Sequence, residues 1–206
     1  MVCRANVARS PLAAALLADA LTGTGIEVAS AGVQATHGAP PARGTVELAA
    51  RRGLDLTGHG SQPVTAELVT NTALVVTMSQ AHRGGCARLA PGAATRTFTL
   101  RELDRLATAA EDPPPTPPAV HATHGTPSPG TGTRSGAGAS VSPAERLHRL
   151  VEAAHLARPW APPPQEPEDI PDPMGRDWEH WFALADELEV LLARLAARIT
   201  DDPPAG

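Results

Sequence analysis

The chain has 206 residues, a net charge of −5 and two cysteines. That length suits one ordinary domain with an embellishment, and the negative balance argues against a nucleic-acid or membrane-surface role. Two cysteines make no disulfide framework and suit a reducing compartment; with no apolar bilayer span and no leader-type start, the expectation is a cytoplasmic protein.

Ser10-Pro11 opens a helical stretch, Leu12 to Leu21, because proline is tolerated in a first turn. Leu12, Ala15, Leu16 and Ala20 share one face of it. Ile26 to Ala31 alternates like a strand and stops at Gly32. A second helix is expected from Pro41 to Arg52, with Gly53 just past its end. Ala73 to Met78 is a continuous apolar run, the pattern of a buried parallel strand. A third helix follows over Ser79 to Leu89, closed by Pro91, and Thr95 to Leu100 reads as another short strand. Strands alternating with helices predict an α/β three-layer sandwich: a four-stranded parallel sheet with helices on both faces.

Residues 107–142 break the pattern, since Pro, Gly, Ser, Thr and Ala dominate. Such a segment buries too little apolar surface to offset the entropy of ordering it, and reads as a disordered insertion. Its His121 and His124 are metal-ligand types, but no further ligand lies nearby, so they read as loop histidines. Helical pattern resumes at Ser142 and runs to Ala157. After a second Pro-rich stretch, the last helix is expected from Asp177 to Ile199. Trp178, Trp181, Phe182, Ala185, Leu188, Leu192, Leu195 and Ile199 form its apolar stripe, read as core. The domain is therefore 1–106 with 143–200, and 201–206 a disordered tail.

The chemistry is concentrated near residue 3. A thiolate that attacks phosphorus must be ionised, must face an anion, and must have that anion held in line. Cys3, five residues and Arg9 meet these needs when the loop between them ends at a helix start. The backbone N–H groups of Arg4, Ala5, Asn6, Val7 and Ala8 can form an anion nest, and the same field favours a thiolate. Arg9 can clamp two phosphoryl oxygens. Ser10 can donate a hydrogen bond to the sulfur, and Asn6 can brace the loop. Asp172, held between Pro171 and Pro173, is the candidate acid for the leaving oxygen, with Asp169 as runner-up.

V-C-R-A-N-V-A-R-S-P resembles the V-C-x-G-N-x-x-R-S-P signature of the low-molecular-weight protein tyrosine phosphatases. The resemblance continues through Ser30-Ala31-Gly32, Gly53-Leu54-Asp55, His59, V-V-T-M-S-Q-A-H-R, F-T-L-R-E-L and D-I-P-D-P. It covers about 1–106 and 143–200. It implies hydrolysis of phosphotyrosine, on a protein or a small aryl phosphate, through a phosphocysteine intermediate and without metal or other cofactor. It implies Cys3 as nucleophile, Arg9 as phosphate clamp and Asp172 as general acid, with Arg4, Ala5, Asn6, Val7, Ala8 and Ser10 in support. No nucleic acid or membrane partner is implied.

The departures are specific. Only Met1 and Val2 precede Cys3, so the expectation is a first strand missing or truncated, with a true start upstream. Ala5 replaces the family's Gly, which would be strained if that position requires positive φ. Ala8 stands where many members carry a second cysteine, so Cys3 has no local disulfide partner. Met174-Gly175 stand where aromatic residues usually follow Asp-Pro; Trp178 or Trp181 are the alternatives for a ring wall. Protein arginine phosphatases are the near rival, with Thr where this chain has Val7. Arsenate reductases of the fold need a thiol relay, and only Cys86 remains. A weak phosphoprotein-binding module, and a ligand role for the Pro-rich stretch, are the readings from other classes.

Overall fold

The computed structural model describes residues 1–113 and 141–200. Four short strands, β1 (Val2–Cys3), β2 (Ala31–Gly32), β3 (Val75–Thr77) and β4 (Thr97–Thr99), form one parallel sheet in the order β2-β1-β3-β4. The helices are α1 (Arg9–Ala20), α2 (Arg43–Ala50), α3 (Ala66–Asn71), α4 (Gln80–Leu89), α5 (Leu100–Glu111), α6 (Pro143–Ala157) and α7 (Trp178–Thr200). The expected α/β architecture with a four-stranded parallel sheet is therefore the one that forms.

Strand alternation divides the apolar residues between the two faces of the sheet. Cys3, Val76, Met78 and Phe98 join the larger core with α1, α2, α5, α6 and α7. Val2 and Val75 point the other way, into a smaller core with Val69 of α3 and Cys86 of α4. Every residue of β3 and β4 is buried, as a sheet covered on both faces requires.

The first strand is present but only two residues long, and it pairs with both neighbours. β2 is equally short. Only Ala31 and Gly32 pair as a strand, with Val2 and Cys3, and not the whole of 26–31. Segment 26–30 instead borders an apolar cavity of about 470 Å³, closed opposite by 71–76 and floored by Leu17, Leu147 and Leu195. This cavity lies at the start of β1, whereas the Cys3 loop lies at its end.

Two helices differ from expectation. Thr95 to Leu100 does not stay extended to its end. Thr99 caps α5, accepting from Glu102 N while the Glu102 carboxylate accepts from Thr99 N. α5 then continues to Glu111, past the expected domain boundary at 106. α3 was not expected; Thr65 caps it by accepting from Leu68 N. Of the expected insertion 107–142, residues 107–111 form the end of α5; 114–140, with His121 and His124, and the tail 201–206 lie outside the described residues. Along α7, Trp181, Leu184, Ala185, Leu188, Leu192, Leu195 and Ile199 are buried, but Trp178 and Phe182 are about two-fifths exposed and stack on each other at 5.8 Å.

Candidate active site

β1 ends at Cys3 and the chain turns directly into the loop that becomes α1. β1 lies between β2 and β3, so the loop opens where the direction of connection reverses, at the carboxyl ends of the strands. Open α/β sheets gather ligands at that crevice. The sequence places the loop there by joining two strand residues to a helix start through only five residues, Arg4 to Ala8.

The loop closes around the sulfur. Cys3 Sγ accepts the Ser10 hydroxyl at 3.0 Å and the Asn6 backbone N–H at 3.2 Å. Both donors point at the one sulfur and fix its position in the loop. Among the described residues, the N–H groups of Ala5, Val7 and Ala8 donate to no carbonyl or side chain. Polar groups left without partners in a concave loop are a ready anion nest.

Asn6 holds this shape. Its φ of 56° is the one left-handed value at a non-glycine position among the described residues. The strain anticipated at Ala5 therefore does not arise; it falls on the next residue, whose type tolerates that region. The fully buried Asn6 amide donates to Ser10 Oγ at 3.0 Å and Ser30 Oγ at 2.8 Å. Its Oδ1 accepts from Gln62 N at 2.9 Å, and its carbonyl meets His59 Nε2 at 2.8 Å. Gly32 approaches from β2 so closely that a Cβ there would lie 2.7 Å from the Arg4 carbonyl and 2.9 Å from Asn6 N. On the far side, the Val7 carbonyl accepts from Ala42 N and the Thr45 hydroxyl, both at the start of α2. Arg4 turns outward and donates to Gln34 Oε1.

Arg9 lies in the first turn of α1, its side chain almost wholly enclosed. Nη1 donates to the Ile170 carbonyl at 3.0 Å and Nη2 to Asp172 Oδ2 at 2.5 Å. The structure thus brings Cys3, Arg9 and Asp172 together from positions 163 residues apart in the case of the last two. Asp172 Oδ1 also accepts from Met174 N, which aims the carboxylate from within its own loop. Its side chain is 44% exposed, so substrate can reach it. Asp169, the runner-up acid, is engaged elsewhere: its Oδ1 accepts from Gln80 N at the start of α4.

Sequence reading missed several contributors. Gln62 and Thr45 carry no local signal, because Gln62 gives a backbone N–H to the Asn6 side chain and Thr45 a hydroxyl to the Val7 carbonyl, both distant in sequence. His82 is buried, with Nδ1 2.8 Å from Ser79 Oγ. Burial, and then the nearby Arg9 charge, pull its pKa down to about 4, which leaves a neutral ring near the site. Cys86 sits in the smaller core, where burial pushes its thiol up. Trp181 packs against Gly44 of α2 and is 8% exposed, so it is core and not a ring wall.

The family model described as low molecular weight phosphotyrosine protein phosphatase matches residues 1–116. The probable low molecular weight protein-tyrosine-phosphatase EpsP of Ralstonia solanacearum is 35% identical over 105 residues, covering 51% of this chain and 71% of that protein. The low molecular weight protein-tyrosine-phosphatase Etp of Escherichia coli (strain K12) is 33% identical over 98 residues, 48% of this chain and 65% of that protein. Among solved structures, the YwlE arginine phosphatase from Geobacillus stearothermophilus superposes with a TM-score of 0.63 at 25% identity, over 98% of this chain and 91% of that one.

Proposed function

Because the chain belongs to the low molecular weight protein tyrosine phosphatase family, we propose that it hydrolyses phosphotyrosine, on a protein or as a small aryl phosphate, through a phosphocysteine at Cys3. One observation carries the reading: the loop's donors converge on Cys3 Sγ while Arg9, at the start of α1, reaches the carboxylate of Asp172.

The substrate's phosphoryl oxygens occupy the nest formed by the loop N–H groups. A phosphoryl dianion competes with Asp172 for the Arg9 guanidinium, which then clamps two of its oxygens. That exchange frees the Asp172 carboxylate next to the leaving oxygen, and without its cation it takes up a proton from solvent. The Cys3 thiolate attacks phosphorus as the P–O bond to the phenol breaks, and Asp172 supplies the proton that makes the phenolate a phenol. Asp172, now a carboxylate, takes a proton from water as the water oxygen attacks phosphorus; the P–S bond breaks, phosphate is released, and the Cys3 thiolate is restored. Ser10 and Asn6 steady the sulfur in both states. Two free cysteines suit a cytoplasmic setting, which is part of the same reading.

Arginine phosphatase is the second reading, favoured by the likeness to YwlE. The apolar, β-branched Val7 on the loop favours the tyrosine substrate.

The test compares wild type, Cys3→Ser and Asp172→Asn on phosphotyrosine, phosphoarginine and an activated aryl phosphate. We expect Cys3→Ser to abolish turnover. Asp172→Asn is expected to slow a phenol-type leaving group by roughly 10²–10⁴-fold. Equal rates for wild type and Cys3→Ser would refute the covalent route. Preference for phosphoarginine would transfer the assignment to the second reading.

A further inference from the structure

The proposed acid depends on a loop that carries little packing of its own. Between Trp160 and Ile170 the chain is mostly exposed, with repeated prolines and no helix or strand. A carboxylate at the end of such a segment needs external restraint to stay within reach of the leaving oxygen. α5 supplies it. Arg105 donates to Glu168 Oε1 from Nε at 3.0 Å and from Nη2 at 2.6 Å, and from Nη1 to the Pro162 carbonyl at 2.9 Å. One turn earlier, Arg101 donates to the Pro167 carbonyl and pairs with Glu187 of α7.

The restraint passes on towards the site. Glu168 Oε2 accepts from Gln80 Nε2 at 2.9 Å, so the same carboxylate joins α5 to the start of α4. Gln80 N in turn donates to Asp169 Oδ1 at 2.7 Å. Ile170 N donates to the Met78 carbonyl at the end of β3, and Ile170 O accepts from Arg9. Two residues further on is Asp172. The Arg105 guanidinium is only a quarter exposed and the Glu168 carboxylate 12%, so solvent screens this pair less than it screens a surface pair.

We infer that Arg105, acting through Glu168, is a positioning residue that holds the 162–170 segment so that Asp172 meets the leaving oxygen. The inference rests on the reading of Asp172 as general acid. It touches neither Cys3 nor the phosphate nest. Loss of Arg105 therefore weakens proton delivery to the leaving group and leaves the attack on phosphorus intact.

This division gives the experiment its readout. kcat/KM, which reports the steps up to release of the phenol and not the later hydrolysis of the phosphocysteine, is measured for wild type, Arg105→Ala, Arg105→Lys and Glu168→Gln on two substrates. One is phenyl phosphate, whose leaving group requires a proton; the other is a dinitrophenyl phosphate, whose leaving group does not. Arg105→Ala is expected to lose roughly ten- to a hundredfold on the first and less than about threefold on the second, as displacement of a catalytic group by about an ångström would do. Arg105→Lys keeps the charge opposite Glu168 but not the fork that also reaches Pro162, and is expected to recover part of the loss. Urea unfolding of each variant separates a shift in rate from a loss of folded protein.

Equal losses on both substrates, or no loss on either, would overturn the inference while Asp172 stood as the acid. If wild type and Asp172→Asn show the same dependence on leaving group, the assignment of the acid fails, and the inference with it. Absence of Cys3-dependent turnover in wild type overturns both.

Discussion

Asn6 shows how much one side chain can organise. It occupies the left-handed region and spends both amide hydrogens and its Oδ1 on three separate segments: α1, the residue before β2, and the chain at Gln62. Replacing it with alanine removes those bonds, leaves the partners Ser10, Ser30 and Gln62 N short of one each, and puts a Cβ where left-handed backbone is costly. Asn6→Ala is expected to lose about 2–4 kcal/mol in urea unfolding, the sum of backbone strain and buried polar groups left unpaired. A loss below about 1 kcal/mol would mean that the loop keeps its shape without this residue. The residues of this loop were legible in the sequence because they are contiguous, and loop chemistry depends on order. Their braces were not. Gln62 contributes a backbone N–H, and Thr45 a hydroxyl to the Val7 carbonyl, and neither contact leaves a mark on residue type. Asp172 was legible through its flanking prolines and its place in D-I-P-D-P, and its geometry with Arg9 only through the fold.

At the scale of elements, β1 is the exception to an otherwise readable alternation. A continuous apolar run marked β3, periodicity marked α1 and α7, and end signals at Gly53, Pro91 and Ser142 marked α2, α4 and α6. α5 was missed although Thr99 and Glu102 stand three apart, the spacing of a capping box. β2 was read too long because alternation over 26–31 reports a sheet-like environment and not the number of partners available. The unmatched edges of 26–30 and 73–75 enclose the apolar cavity into which Met1 projects, its ammonium donating to the Ala29 carbonyl. Burial pulls that ammonium from its ordinary value of 8.0 down to about 6. The unfolded chain therefore binds more protons between pH 6 and 8, so stability rises with pH across that window and the penalty is complete below it. A variant with four residues of alternating Val and Thr placed ahead of Met1 replaces the ammonium with an amide and extends β1 between its neighbours. Each apolar side chain that enters the cavity contributes about 1.5–3 kcal/mol. Thermal unfolding is expected to move up by several degrees, and the rise in stability from pH 6 to 8 to flatten relative to wild type. An unchanged midpoint would show that the cavity does not accept a strand.

Across the whole molecule, the C-terminal helix supports the N-terminal loop through α2. Trp181 of α7 lies flat against Gly44, so that a Cβ on Gly44 would meet its ring at 2.6–2.8 Å. Arg52, just beyond α2, pairs with Glu189 and Asp186 of α7 and keeps the two helices together further along. The start of α2 in turn supplies the Ala42 and Thr45 donors that fix the Val7 carbonyl of the phosphate loop. In an exposed helix interior, Gly→Ala would stabilise by about 1 kcal/mol. Here the sign reverses, because the clash is with the body of a buried indole that has no free space to retreat into. Gly44→Ala is expected to cost about 1–3 kcal/mol, the range of an overpacked core. It is also expected to weaken binding of inorganic phosphate at the loop, because α2 must move away from α7 and carry Thr45 with it. Calorimetry with phosphate and urea unfolding measure the two effects on one protein. Destabilisation with unchanged phosphate affinity would place the give in α7. A loss of both ties the geometry around Cys3 to a contact made almost at the other end of the chain.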